Sequence, residues 1–184
     1  GIPFRASERG EDDPIIMAGG PCAYNPEPLY DIVDFFEIGE GEEMMNDVLE
    51  VYARHKANGK VNKKEFLREI SKIGGIYVPS LYDVTYNEDG TIKEFKPKYE
   101  DVPAKVKKRI VNDFDSVAFP DEMIVPYTEI VHDRVVLETA RGCTNGCRFC
   151  QAGMIYRPVR EKTTNTLLEQ ARKALKATGY NEVS

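Results

Sequence analysis

The segment Arg134-Val-Val-Leu-Glu-Thr-Ala-Arg-Gly-Cys143-Thr-Asn-Gly-Cys147-Arg-Phe149-Cys150 carries three of the four cysteines of the chain, in the spacing Cys-x3-Cys-x2-Cys. The β-branched run that opens the segment predicts a strand. The cysteine loop then begins at the carboxyl end of that strand, where barrel enzymes place their reactive groups. We therefore take this loop as the first candidate functional element.

Three thiols this close together need a chemical reason. A set of three suits an iron–sulfur cluster in which one iron stays open to a small molecule. Zinc is an alternative, but a structural zinc site takes four protein ligands, and Cys22 or one of two histidines would have to supply the fourth. Disulfides would leave one thiol over and suit a secreted domain, for which the N-terminus shows no signal pattern.

The spacing, with Phe149 directly before the third cysteine, resembles the motif of the radical S-adenosylmethionine (radical SAM) superfamily. The resemblance implies that Cys143, Cys147 and Cys150 hold a [4Fe–4S] cluster whose open iron binds S-adenosylmethionine. Reductive cleavage to a 5′-deoxyadenosyl radical, an electron donor of flavodoxin or ferredoxin type, and a place for Phe149 near the adenine follow from the same resemblance. The catalytic residues and the substrate stay unknown, a macromolecule being one candidate.

Two glycine turns organise the first quarter of the chain. The apolar runs 15–18 and 35–38 predict buried parallel strands, which end at Gly19-Gly20 and at Gly39-Glu40-Gly41. The next helix is predicted to carry Met45, Val48, Leu49 and Tyr52 on one face and to stop near Asn58-Gly59. This strand–turn–helix order predicts an open α/β sheet, in which ligands bind at the carboxyl edge of the strands.

The segments Met17-Ala-Gly-Gly-Pro21 and Ile38-Gly-Glu-Gly-Glu42 resemble the later half of a Rossmann- or flavodoxin-like, cobalamin-binding-type domain, which precedes the radical SAM domain in many members. The resemblance makes Gly19, Gly20, Gly39 and Gly41 candidate residues of a cobalamin edge. Tight turns alone also explain these glycines, and the axial-ligand pattern Asp-x-His-x-x-Gly is absent, so cobalamin is not expected to bind through this chain. His55 is interpreted as a surface residue and Cys22 as a half-buried thiol.

Further along, residues 63–73 predict a helix with Phe66, Leu67, Ile70 and Ile73 inward, and residues 82–95 predict a β-hairpin around Asn87-Glu88-Asp89-Gly90. Residues 164–178 predict a helix with Leu168, Ala171, Leu175 and Thr178 on one face and Gly179 as its C-cap. The resulting division is 1–75 (end of the cobalamin-binding-like domain), 76–130 (connector with the hairpin) and 131–184 (first βα unit of a partial TIM-like radical SAM barrel).

The whole string from Thr139 to Arg160, with the two upstream turns, resembles a largely uncharacterised family of cobalamin-domain-like radical SAM proteins, the Fe–S oxidoreductases. By this resemblance the chain is an internal fragment of an enzyme, too incomplete for turnover by itself, with the rest of its own chain missing. The alternative is a non-catalytic metal-binding module that uses the same cysteines for zinc or an Fe–S cluster.

Composition sets the remaining bounds. The chain has 184 residues, 41% of them hydrophobic, and a net charge of −6, which disfavours general nucleic-acid binding. No apolar run is long enough for a membrane span, so no membrane partner is expected. We expect a cytoplasmic protein, since an oxygen-sensitive cluster fits a reducing compartment.

Overall fold

The computed structural model describes residues 1–57, 59–128 and 130–184, which form two compact units, Gly1–Ile110 and Val111–Ser184. The helices are α1 (Gly41–Ala57), α2 (Lys63–Ile70), α3 (Ala152–Ile155) and α4 (Thr164–Thr178). The strands are β1 (Met17–Ala18), β2 (Phe35–Glu37), β3 (Ile76–Tyr77), β4 (Tyr82–Tyr86), β5 (Ile92–Pro97), β6 (Ala140–Arg141) and β7 (Arg160–Glu161). The three-part division predicted at residues 75 and 130 stays a prediction.

A three-stranded sheet in the order β1-β2-β3 organises the first unit. Strands β1 and β2 run parallel, with Met17 opposite Phe35 and Ala18 opposite Phe36. The predicted parallel pairing is therefore confirmed, although each strand is shorter than its apolar run and β1, unlike β2, is not buried. Strand β3 runs antiparallel to β2. With its helices, the unit confirms the α/β class at this coarse level.

The core of the first unit collects buried apolar side chains from β2, β3, α1 and α2. In α2, the predicted inward residues Phe66, Leu67 and Ile70 are buried, and the helix ends at Ile70. In α1, the predicted face is correct only in part: Val48 is buried and Tyr52 packs against the core, whereas Leu49 is exposed. The other buried residues of the helix are Met44 and Val51. The predicted stop of α1 falls partly on Asn58, which lies outside the described residues.

A buried ionic network fastens the N-terminal segment to the sheet. The carboxylate of Asp34 accepts hydrogen bonds from Arg9 Nη2 at 3.0 Å and from the Ile16 N–H at 2.8 Å, and Lys63 Nζ lies 2.8 Å from its other oxygen. Arg9 also donates to the carbonyls of Pro3 and Phe4. Both side chains of the Arg9–Asp34 pair are almost fully buried, at 1% and 2% exposure. The network therefore replaces lost hydration with protein hydrogen bonds.

The hairpin appears as predicted. Strands β4 and β5 pair antiparallel, from Tyr82 opposite Pro97 to Tyr86 opposite Ile92. Gly90 closes the turn with a φ of 81°, a conformation that favours glycine. Tyr82 and Phe95 stack with ring centroids 4.9 Å apart, and both rings contact Tyr77 of β3. The hairpin is thus packed onto β3, within the first unit, through aromatic rings.

The second unit contains α4 at the predicted residues. The Thr163 side chain accepts from the Thr166 N–H, and Gly179 ends the helix at a φ of 77°. Ala174 is the buried residue of this helix, whereas Leu168 is exposed, so the predicted face is correct only in part. A parallel bridge joins Val135 to Val183, with α4 between them in the chain. Residues 182–184 pair with Val135 and Leu137, in the segment that leads into the cysteine loop.

No helix of the described segments is both long and apolar enough to cross a membrane.

Candidate functional site

The cysteine loop is closed at its base by a two-stranded ladder. Ala140 pairs with Glu161 and Arg141 with Arg160, so residues 142–159 leave and return at one place. The ladder extends to Thr139, whose carbonyl accepts from the Lys162 N–H at 3.0 Å. The two ends of the cysteine loop are therefore held together by backbone hydrogen bonds.

Gly142 allows the two sides of this base to approach closely. Its φ is +99°, and a Cβ there would lie 2.7 Å from the Pro158 carbonyl oxygen and 2.8 Å from that of Tyr156. Both distances are below contact limits for carbon and oxygen. Only glycine fits this position without moving the 156–159 backbone.

The three thiols of the loop are free and accessible to different degrees. Cys147 is exposed, and Cys143 and Cys150 are partly buried. A turn brings the Cys150 N–H to the Cys147 carbonyl at 3.1 Å. Within residues 1–57, 59–128 and 130–184, no three His, Cys, Asp or Glu side chains are gathered closely enough to hold a metal ion. The thiols are thus placed on one loop but not converged.

The chemistry of this donor set fits a cluster. Three unpaired thiols within one loop of fixed ends are soft ligands of the type that iron–sulfur clusters take. Phe149 is 92% exposed, so its ring is accessible for stacking against a ligand. The predicted roles of Cys143, Cys147, Cys150 and Phe149 stay predictions.

Two cationic side chains, Arg141 and Lys162, pack against the ring of Phe114. The guanidinium carbon of Arg141 lies 4.8 Å from the centroid of the Phe114 ring, and Lys162 Nζ lies 5.2 Å from it. Lys162 is buried and donates to Gln170 at 3.3 Å. Arg141 also binds both carboxylate oxygens of Glu138 at 2.8 Å. Arg141 lies in β6 and Lys162 directly follows β7, so both cations belong to the base of the cysteine loop.

The glycine turns of the first unit meet at a buried carboxyl group. Glu37, the last residue of β2, is 6% exposed, and its Oε1 has no hydrogen-bond partner among the described residues. A Cβ on Gly19 would lie 3.8 Å from Glu37 Oε2, and a Cβ on Gly41 would lie 3.4 Å from the same atom. Burial raises the pKa of the Glu37 carboxyl. Sequence reasoning missed Glu37, although its place at the end of a predicted strand was a usable signal.

Gly39 has a structural reason of its own. Its φ is +121°, and a Cβ there would overlap the carbonyl oxygen of Arg109, whose backbone forms a parallel bridge with Gly39. Gly20 differs, since its φ is +85° but a Cβ would meet no atom within 4 Å. Gly39 therefore accommodates neighbouring backbone, whereas Gly20 stands open at the edge. Neither observation tests cobalamin binding.

Two secondary predictions need correction. His55 is not a free surface residue, because its Nε2 lies 2.7 Å from Glu69 Oε2 and its ring packs edge-to-face on Phe66. This contact joins α1 to α2. The bond to His55 is the largest cause that holds the pKa of the Glu69 carboxyl below its usual value. Cys22 is exposed, not half-buried, on the short 3-10 turn Pro21–Tyr24.

The comparisons with known proteins give a family match over the first part of the chain and a relative that aligns with most of it. Residues 1–79 match a family model described as "Radical SAM proteins, N-terminal". An uncharacterized protein of Methanocaldococcus jannaschii is 29% identical over 171 residues, which are 92% of this chain and 30% of that relative. No solved structure matches. The chain thus spans about a third of the length of this relative, and the family match confirms the recognition of the radical SAM superfamily.

Proposed function

We propose that the chain is the part of a radical SAM enzyme that carries its cluster loop. The observation that carries this proposal is that two separate stretches agree: residues 1–79 match the N-terminal family model, and residues 143–150 hold the Cys-x3-Cys-x2-Cys motif. The two stretches do not overlap. A chance match in one stretch would therefore not produce the match in the other, so the two are independent support.

In this proposal Cys143, Cys147 and Cys150 are the ligands of a [4Fe–4S] cluster. When bound, the cluster supplies the electron that cleaves S-adenosylmethionine reductively. The protein holds the three thiolates on a loop whose base is fixed by the β6–β7 ladder. Arg141 of β6 and Lys162, directly after β7, place two cations over the Phe114 ring. Exposed Phe149 offers a ring for the adenine.

The finer architecture belongs to the same proposal. The parallel β1–β2 pair with glycine turns at its carboxyl end supports a Rossmann- or flavodoxin-like first domain. The parallel bridge between Val135 and Val183, with α4 between them, supports a first βα unit of a TIM-like barrel. An electron donor of flavodoxin or ferredoxin type and a substrate, a macromolecule being one candidate, would be the partners. Cobalamin is left out, because the chain carries no Asp-x-His-x-x-Gly pattern.

Anaerobic reconstitution tests the ligand set. We expect close to the four irons of a [4Fe–4S] cluster per chain, and loss of that iron in Cys143→Ala, Cys147→Ala and Cys150→Ala, because three thiolates are the whole set. Cys22→Ala is the matched control, since Cys22 is an exposed thiol of the other unit. Iron and sulfide analysis with the absorption spectrum measures the outcome.

The alternative module gives a different result. Stoichiometric zinc without iron after the same anaerobic preparation would contradict the proposal and favour a structural metal site. Iron loss in Cys22→Ala would also contradict it, because four thiolates would leave no open iron.

A further inference from the structure

Glu37 is buried without a partner for one of its oxygens. Its Oε1 lacks a hydrogen bond to any described residue, and the residue is 6% exposed. An unpaired buried carboxyl oxygen is costly to the folded protein. A buried polar group without a partner requires an explanation, and a bound ligand or a catalytic role is one such explanation. Glu37 therefore points to a ligand that donates a hydrogen bond.

The position of Glu37 in the sheet is the second observation. The β1–β2 register pairs Ala18 with Phe36, so Gly19 lies beside Glu37 at the carboxyl edge of two parallel strands. The Glu37 carboxyl group lies against the turns at Gly19 and Gly41, which add no side chain next to it. Gly20 faces open space at the same edge. In open α/β sheets this edge is where ligands bind.

The chemistry of the edge selects the ligand class. An acidic side chain at the end of the second strand is the group that binds ribose hydroxyls in dinucleotide-binding sheets. A phosphate would require the helix N-terminus of α1, but Glu42 and Glu43 already place negative charge in its first turn. The edge therefore suits an uncharged sugar group and disfavours a polyphosphate.

We propose that the edge formed by Gly19, Gly20, Glu37 and Gly41 binds a nucleoside, whose ribose diol donates hydrogen bonds to the Glu37 carboxyl group. The site goes beyond the proposed function and does not rest on it, because these residues lie in the first unit and the cluster cysteines in the second. Cobalamin also offers hydrogen-bond donors, through its amides, and the test separates the two sources.

Binding of adenosine and of 2′,3′-dideoxyadenosine to the full chain, measured by calorimetry or ligand-observed NMR, tests the diol. We expect adenosine to bind the wild-type chain about tenfold or more tightly than the dideoxy compound, since a hydrogen bond to a charged group is lost. Glu37→Gln should weaken adenosine by a similar factor and bind the two nucleosides equally. Glu50→Gln, on the exposed side of α1, is the matched control and should bind like wild type.

Three outcomes would overturn the proposal: equal binding of both nucleosides to the wild-type chain, adenosine binding that Glu37→Gln leaves unchanged, or no adenosine binding at millimolar concentration. Cyanocobalamin is the comparison ligand. Glu37-dependent binding of cyanocobalamin in place of adenosine would assign the edge to amide donors and equally reject the ribose. If Glu37→Gln fails to fold by circular dichroism, the comparison of the two nucleosides on wild type still decides.

Discussion

Two buried carboxylates of the first unit differ in their hydrogen-bond and ion-pair partners. Asp34 accepts from Arg9 and from the Ile16 N–H and lies beside Lys63, so its charge is fully compensated. Glu37, three residues later, has an oxygen without a partner among the described residues. Removing one member of a compensated buried pair typically costs several kcal/mol. Asp34 therefore stabilises the folded protein, whereas the buried Glu37 carboxyl group lowers its stability.

Glu37→Gln should make the first unit more stable at neutral and higher pH. The pKa of the Glu37 carboxyl is raised above 4.5 by burial, so between 4.5 and the raised pKa the unfolded chain is ionised while the folded chain holds the proton. The wild-type unfolding free energy therefore falls as pH rises through that window. We expect the glutamine variant to lack this fall and to be about 1 kcal/mol more stable at about pH 8.

Urea unfolding across a pH series measures the difference between the variant and wild type. Glu50→Gln serves as the control for loss of one negative charge, because Glu50 is exposed on α1 of the same unit. A difference for Glu37→Gln that does not grow between acidic and neutral pH would show that the carboxyl is not desolvated as described.

The loop between β6 and β7 shows how elements constrain the site. The ladder fixes the two ends of residues 142–159, and Gly142 permits the close approach of the Tyr156 and Pro158 carbonyls. Gly146, inside the loop, differs in both respects. A Cβ there would meet no atom within 4 Å, and its φ is not positive. The two glycines of one motif therefore have different roles.

Gly142→Ala should destabilise the second unit by about 1–3 kcal/mol, because a Cβ would strain the backbone and push the 156–159 segment from the ladder. Iron retention after reconstitution should fall with it. Gly146→Ala, the matched control, should change stability by no more than about 0.5 kcal/mol. Thermal unfolding by circular dichroism and iron analysis measure both variants, and equal effects of the two substitutions would contradict the close contact at Gly142.

At the scale of the whole molecule, the two compact units have cores of different size. The first unit contains one extended cluster built from β2, β3, α1, α2 and the start of the hairpin. The second unit contains a small cluster of Val111, Phe114 and Val117, besides single buried residues such as Val135 and Ala174. Stability grows with the apolar area buried, so the units should differ in stability.

The chain should unfold in two steps, the second unit first. Asp34→Asn should lower the stability of the first unit by about 3–5 kcal/mol and leave the second unchanged, because Arg9 and Lys63 would lose their buried counter-charge.

Cluster reconstitution should stabilise the second unit selectively, as any ligand of the folded state does. Hydrogen exchange at increasing urea, read by mass spectrometry, resolves the two units, and a single transition for both would contradict this division.

Local sequence patterns predict the features that depend on neighbouring residues. The cysteine spacing, the parallel strand pair with its glycine turns, the hairpin around Gly90 and the helix from Thr164 to Gly179 follow from local patterns. Caps, turns and periodicity act within a few residues, so one sequence displays them directly. The radical SAM recognition came from such a pattern and agrees with the family match to residues 1–79.

Other features depend on residues that are far apart in the chain and meet only in the folded protein. Arg9, Asp34 and Lys63 meet only because the N-terminal segment, β2 and α2 pack together. Helix α1 has two overlapping apolar faces, one residue apart in the sequence. In the folded protein the buried residues of this helix are Met44, Val48 and Val51. Glu37 became a candidate binding group through burial between two turns, and Gly39 became obligatory through the Arg109 backbone. Burial and charge compensation are properties of the packed chain, and no local pattern contains them.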